Sequence, residues 1–219
     1  MPSDIVTPPG YTHILFDHDG VLVDTEHLYC EATCRQLALL GVTFSAADYL
    51  KIQAVGGDAW RGARDLGLSD TDIEAAGAAR NEHYQALLCS REIDVPGVDA
   101  ALTALGQRCT MAIVTTARQS DFDLIHRNRT IVDHMAFVLT NKDYARSKPY
   151  PDPYLTALDR FGIAAESALV VEDSQRGLAA AVAAGIDCAV VHHPFTASQD
   201  FSEARYRIET LADLLELVN

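Results

Sequence analysis

Short apolar runs recur along this chain, and each stops abruptly at acidic or hydroxyl residues; this pattern limits the possible folds more than any other feature. THILF (residues 12–16) ends at Asp17-His18-Asp19-Gly20, the run 109–114 ends at Thr115-Thr116, and the run 168–171 ends at Glu172-Asp173. Two more β-prone runs cover 137–139 and 188–191. Between them lie helix-like segments at 98–105, 120–128, 153–161 with Pro153 in the first turn, and an alanine-rich stretch at 174–184 closed by Gly185. A last helix is expected near 211–217. Strands alternating with helices predict an α/β fold, a parallel sheet flanked by helices and joined by right-handed crossovers. Ligands of such sheets bind beyond the carboxyl ends of the strands, which is where the polar residues fall.

One block breaks the alternation. Residues 26–40 place Leu28, Ala32, Leu37 and Leu40 at helical spacing before Gly41, and helical pattern follows at 46–53, 58–66 and 69–88. Ser69 supplies N-cap chemistry for the last of these. The expected organisation is therefore a core made of residues 1–22 and 94–219, with an all-helical insertion over 23–93.

Seventeen Lys and Arg against thirty-one Asp and Glu give a net charge of −14. That balance argues against nucleic acid and anionic membranes as partners, while leaving room for a local cationic pocket. The five cysteines (Cys30, Cys34, Cys89, Cys109, Cys188) form no CxxC and no zinc-ligand spacing, which fits a reducing cytoplasm. Residues 1–13 lack the charged and apolar regions of a secretory signal and read as a short disordered lead. The most apolar stretch, 178–191, is too short to span a membrane and is interrupted by Gly185 and Asp187. Nothing in the sequence points to an obligate protein partner.

If the strand ends converge, they assemble Asp17, Asp19, Thr115, Lys148, Glu172 and Asp173. Carboxylates so placed repel one another by a few kcal/mol per pair at an effective dielectric near 20, and so call for a cation. An all-oxygen set favours a hard ion, Mg²⁺ before Ca²⁺ or zinc. One lysine and one hydroxyl added to that set suit a phosphate dianion.

FDHDGVLVDTE (16–26), the apolar run ending in Thr115, SKPYPDPYL (147–155) and VVEDSQRGLAAAVAAG (170–185) resemble, in order, the four motifs of the haloacid dehalogenase-like hydrolase superfamily. The resemblance runs from about residue 13 to 191, and the helical insertion looks like the small cap of the subgroup holding phosphoglycolate phosphatases, sugar phosphatases and β-phosphoglucomutase. It implies a Rossmann-like core and a Mg²⁺-dependent phosphatase of a small phosphorylated metabolite. Asp17 would be the nucleophile that forms an aspartyl-phosphate. Asp19 would be the acid and base. Lys148, Thr115 and the Thr116 amide would bind the phosphoryl oxygens. Asp17, the Asp19 carbonyl and Asp173 would hold the metal, with Glu172 acting through water or behind the other ligands.

Dehalogenases of the superfamily lack an acid two positions after the nucleophile, so Asp19 favours phosphoryl transfer. The mutase pattern carries a histidine five residues after the Asp of the DT pair, where this chain has Tyr29, and this favours hydrolysis. A phosphate-binding module that has lost catalysis is the remaining alternative; the completeness of the motifs weighs against it. Substrate choice is expected in the insertion, with Gly57, Trp60 and Arg61 as candidate contacts and Arg118 after the second motif; Arg61 could meet a second anionic group. His18, between the two aspartates, reads as a buried neutral histidine behind the site.

Overall fold

The computed structural model describes residues 10–218. Six parallel strands form one sheet: β1 (His13–Phe16), β2 (Thr110–Val114), β3 (Phe137–Leu139), β4 (Ala168–Glu172), β5 (Asp187–Val191) and β6 (Tyr206–Ile208), in the order β3-β2-β1-β4-β5-β6. After β3 the chain returns across the sheet to β4 on the far side of β1, so the strand order reverses at β1. The crevice of such a sheet opens at that reversal, beyond the carboxyl ends of β1, β2 and β4.

β1 is apolar on both faces because both faces are covered. Ile14 and Phe16 pack into one cluster with Leu102, Ile113 and Val171, while Leu15 points the other way, against Val114, Tyr154 and Val170. The helices that cover the faces are α5 (Val98–Leu105), α6 (Gln119–His126), α7 (Asp152–Phe161) and α8 (Gln175–Ala183).

Between β1 and α5 lie only helices: α1 (Glu26–Leu39), α2 (Ala46–Ala54), α3 (Arg61–Asp65) and α4 (Asp70–Ser90). The side chains of Ser45 and Ser69 each cap the helix that follows through a reciprocal bond with Asp48 and Asp72, worth about 1 kcal/mol apiece. Leu28, Tyr84 and Leu88 of this helical cap join the large cluster of the sheet, while Leu37, Ala63 and Ile73 form a small cluster of their own.

The structure departs from the sequence expectation at four places. Helix α3 begins at Arg61 rather than 58, because Asp58 Oδ1 accepts the Trp60 amide at 2.9 Å and holds a turn there. β6 went unrecognised, being three residues at the sheet edge with Arg207 exposed. The C-terminal helix is a 3₁₀ segment, Leu211–Glu216. In the lead, Tyr11 is ordered and buried, its hydroxyl donating to Asp187 at 2.6 Å; residues 1–9 of that lead lie outside the described residues.

Candidate active site

Three strand ends and one loop meet at Lys148. The residue is 4% exposed, and its ammonium donates to Asp17 Oδ1 after β1 at 2.6 Å, to Glu172 Oε1 at the end of β4 at 2.7 Å, and to the Val114 carbonyl at the end of β2 at 2.9 Å. Carboxylate oxygens of Asp17, Glu172 and Asp173 all lie within 4.8 Å of one another. Gly20 makes this approach possible: its φ is +82°, and a Cβ there would sit 2.1 Å from Asp173 Oδ2.

The charges do not balance within this cluster. One ammonium faces three buried carboxylates and leaves two negative charges over, the charge of one divalent cation. Burial pushes the Asp17 carboxyl up to about 7; Glu172 and Asp19 push the same way, and Lys148 pulls back. Burial, then Asp17 and Glu172, raise Asp173 well above the ordinary carboxylate range. A hard cation would offset both shifts by favouring the ionised carboxyls, so this oxygen set fits Mg²⁺. The oxygens of Glu172 are largely taken: Oε1 also accepts from Tyr154 at 2.6 Å, and Oε2 from Ser174 at 3.0 Å.

Asp19 is turned aside from this cluster. Its Oδ1 accepts a short bond from Thr25, and its Oδ2 lies 3.2 Å from His18 Nδ1 and 3.3 Å from the Thr115 hydroxyl. Burial would raise its pKa, but His18, the Thr25 bond and the Arg176 charge outweigh burial and hold the carboxyl well below the usual range.

Above the cluster, two adjoining cavities of about 240 and 310 Å³ separate core from cap. Tyr29, Tyr49, Ser147 and Arg176 line both. Thr116 and Arg118 line the first. Gly57, Trp60 and Arg80 line the second, which reaches down to Lys148. Arg80 of α4 lies over the Tyr29 ring at 4.4 Å and near the Trp60 ring at 5.6 Å. The Arg176 Nε is buried without a hydrogen-bond partner among the described residues.

The description of the haloacid dehalogenase-like hydrolases matches residues 14–191 of this chain. The chain belongs to the haloacid dehalogenase-like hydrolase family. Among its relatives is the protein CbbY of Cereibacter sphaeroides, 32% identical over 217 residues, which cover 92% of this chain and 93% of that protein. The fructose-1-phosphate phosphatase YqaB of Escherichia coli (strain K12) is 26% identical, with 81% of this chain and 94% of YqaB aligned. A crystal structure of a CbbY variant from Rhodobacter sphaeroides with xylulose-(1,5)bisphosphate superposes with a TM-score of 0.79 at 27% identity, covering 93% of this chain and 96% of that one.

Within this haloacid dehalogenase-like site, the fold brings Asp17, Lys148, Glu172 and Asp173 into contact range and puts Asp19 and Thr115 beside them. Arg61 is exposed and lines neither cavity; one helix further on, Arg80 takes the place expected of it. The reason is the late start of α3, which points Trp60 inward and leaves Arg61 outside. Arg118 is held by Asp121 through two bonds of 2.9 and 2.7 Å, and Gln85 of the cap donates to the same carboxylate at 2.8 Å. Sequence reasoning missed Arg80, Tyr154, Ser174 and His126. Ser174 could have been found as the N-cap of α8; the others carry no local signal.

Proposed function

We propose that this chain is a Mg²⁺-dependent phosphatase of small phosphorylated metabolites that works through an aspartyl-phosphate on Asp17. The observation that carries this reading is Lys148 bridging Asp17 and Glu172 beside Asp173, at the crevice of a haloacid dehalogenase-like hydrolase. Phosphatases among the relatives support the reaction class. Asp17, Asp173 and the Asp19 carbonyl would hold the ion, with Glu172 acting on it through Lys148. When bound, Mg²⁺ supplies charge neutralisation for Asp17 and for the phosphoryl oxygens.

The chain's own groups then divide the work. Asp17, ionised when Lys148 and the metal both face it, attacks phosphorus as the bond to the leaving oxygen breaks. Asp19, once it has left Thr25 and taken up a proton, gives that proton to the leaving oxygen and then takes one from the water that cleaves the acyl phosphate. The hydroxyl of Thr115 and the amide of Thr116 hydrogen-bond the phosphoryl oxygens. For Asp19 to act it must turn away from Thr25, a residue at the entry to the cap. We therefore read residues 23–93 as a cap that closes over the core of residues 1–22 and 94–219 and excludes water.

The second cavity carries two guanidiniums, Arg80 and Arg176, that make no salt bridge among the described residues, though the charge of Glu26 acts on Arg176, in a chain of net charge −14. They favour a phosphomonoester with a second acid group, a carboxylate or another phosphate. Hydrolysis is preferred to phosphoryl isomerisation because Tyr29, with its pKa raised chiefly by burial, stands where the mutase pattern has histidine. No helix of the described residues is long and apolar enough to cross a membrane, and none of the five cysteines is in a disulfide. A reducing cytoplasm is the compartment we assign.

The test is phosphate release from p-nitrophenyl phosphate with Mg²⁺, with EDTA, and with Asp17→Asn. Activity that needs Mg²⁺ and disappears in the variant is expected. Activity that survives in Asp17→Asn would overturn the nucleophile assignment; none at all across a broad phosphomonoester panel would favour a binding module.

A further inference from the structure

Buried His18 and half-buried His126 form a pair behind Asp19. His18 has no exposed surface, and its Nδ1 lies 3.2 Å from Asp19 Oδ2. Its Nε2 lies 2.9 Å from His126 Nε2, at the last residue of α6. The two rings and Phe122 pack with centroids 4.3 to 5.0 Å apart. The remaining nitrogen, His126 Nδ1, is buried and has no partner among the described residues.

These contacts fix where the protons sit. Suppose His18 donated to His126: the proton of a neutral His126 would then sit on Nδ1, an N–H buried with nothing to accept it. A neutral His18 would also turn a bare lone pair toward the Asp19 carboxylate. The opposite direction avoids both penalties. His126 Nε2–H donates to His18 Nε2, and His18 Nδ1–H donates to Asp19, leaving only an unused lone pair on His126. Burial, with His18 and Arg129 nearby, pushes the His126 pKa down to about 3, in keeping with a neutral ring.

We propose that His126 is a positioning residue for the acid–base step: by holding the His18 ring at Nε2 it keeps one N–H aimed at Oδ2 of Asp19. With Oδ2 held, Oδ1 is free to exchange Thr25 for the leaving oxygen of the substrate. A hydrophobic filler would pack against Phe122 equally well without stranding a buried nitrogen, so packing alone does not account for the pair. The proposal rests on the reading of Asp19 as the acid.

The experiment measures kcat/KM, which reports transfer to Asp17, across phosphomonoesters from p-nitrophenyl phosphate, whose leaving group needs no proton, to a simple alkyl phosphate, whose leaving group does. In His126→Leu the alkyl ester should slow about tenfold, the size of a lost hydrogen bond to a charged group, while p-nitrophenyl phosphate stays within about twofold. His126→Gln keeps a donor at the same reach and should keep both rates. In a His18→Asn background, whose amide donates to Asp19 unaided, adding His126→Leu should cost nothing more. Equal losses on both esters, no loss on either, or an undiminished loss in the His18→Asn background would overturn the proposal. Asp19→Asn separates the two readings. If it slows alkyl esters selectively and His126→Leu does not, only the positioning role fails; if it shows no selectivity, Asp19 is not the acid and both readings fail.

Discussion

Lys148→Met keeps the length of the side chain and removes the ammonium that Asp17 and Glu172 share. At 2.6 and 2.7 Å and an effective dielectric of 20, each contact amounts to about 6 kcal/mol of attraction. Most of that offsets the cost of burying the ammonium, and breaking a buried pair from one side costs about 4 kcal/mol net. For a chain of this size that lowers Tm by about 12 °C. The pH dependence carries the sharper signature. Without Lys148 to pull it back, Asp17 holds its proton to still higher pH in the folded protein than in the unfolded one, so the native state gains stability as pH falls. The loss in Tm should therefore be large at pH 8 and smaller at pH 5, and phosphatase activity should be lost at both. Calorimetric melts of both proteins at the two pH values provide the assay. A loss that is the same at both pH values, or larger at pH 5, would refute the electrostatic reasoning.

The same cluster governs metal binding. Because Asp17 is pushed up from 3.8 to about 7 without a metal, protons compete with Mg²⁺ below that pH, and the stability that protonated Asp17 contributes is lost as pH rises through 7. The Tm increase on adding Mg²⁺ should be greater at pH 8 than at pH 6; an equal or reversed difference counts against the shift. Arg80→Met should raise KM about tenfold for a phosphomonoester carrying a second acid group and leave p-nitrophenyl phosphate nearly unchanged. Steady-state kinetics on matched substrates, with and without that acid group, decide this, and equal effects on the two would remove Arg80 from substrate recognition.

Much of the core was legible because its signals are local. Apolar β-prone runs stop at charged residues, and helix starts carry Ser69 or Pro153. The strands β1 to β5 and the helices of the core follow from those signals to within a residue or two. β6 was not legible, since three residues at a sheet edge leave no pattern distinguishable from a loop.

The sequence by itself determined which chemistry could assemble: aspartates after the first strand, a lysine in a polar loop, and a Glu-Asp pair after a later strand. Side-chain type and strand ends are local properties, and they survive without knowledge of the pairing. Tertiary structure alone decided which partner each group meets. The order of the strands brings Lys148 between Asp17 and Glu172, and the turn at Asp58 gives the cavity to Arg80 instead of Arg61. Folding likewise sets His126 against His18, a contact between residues 108 positions apart that no spacing rule encodes, because it depends on how α6 packs against the first strand's turn.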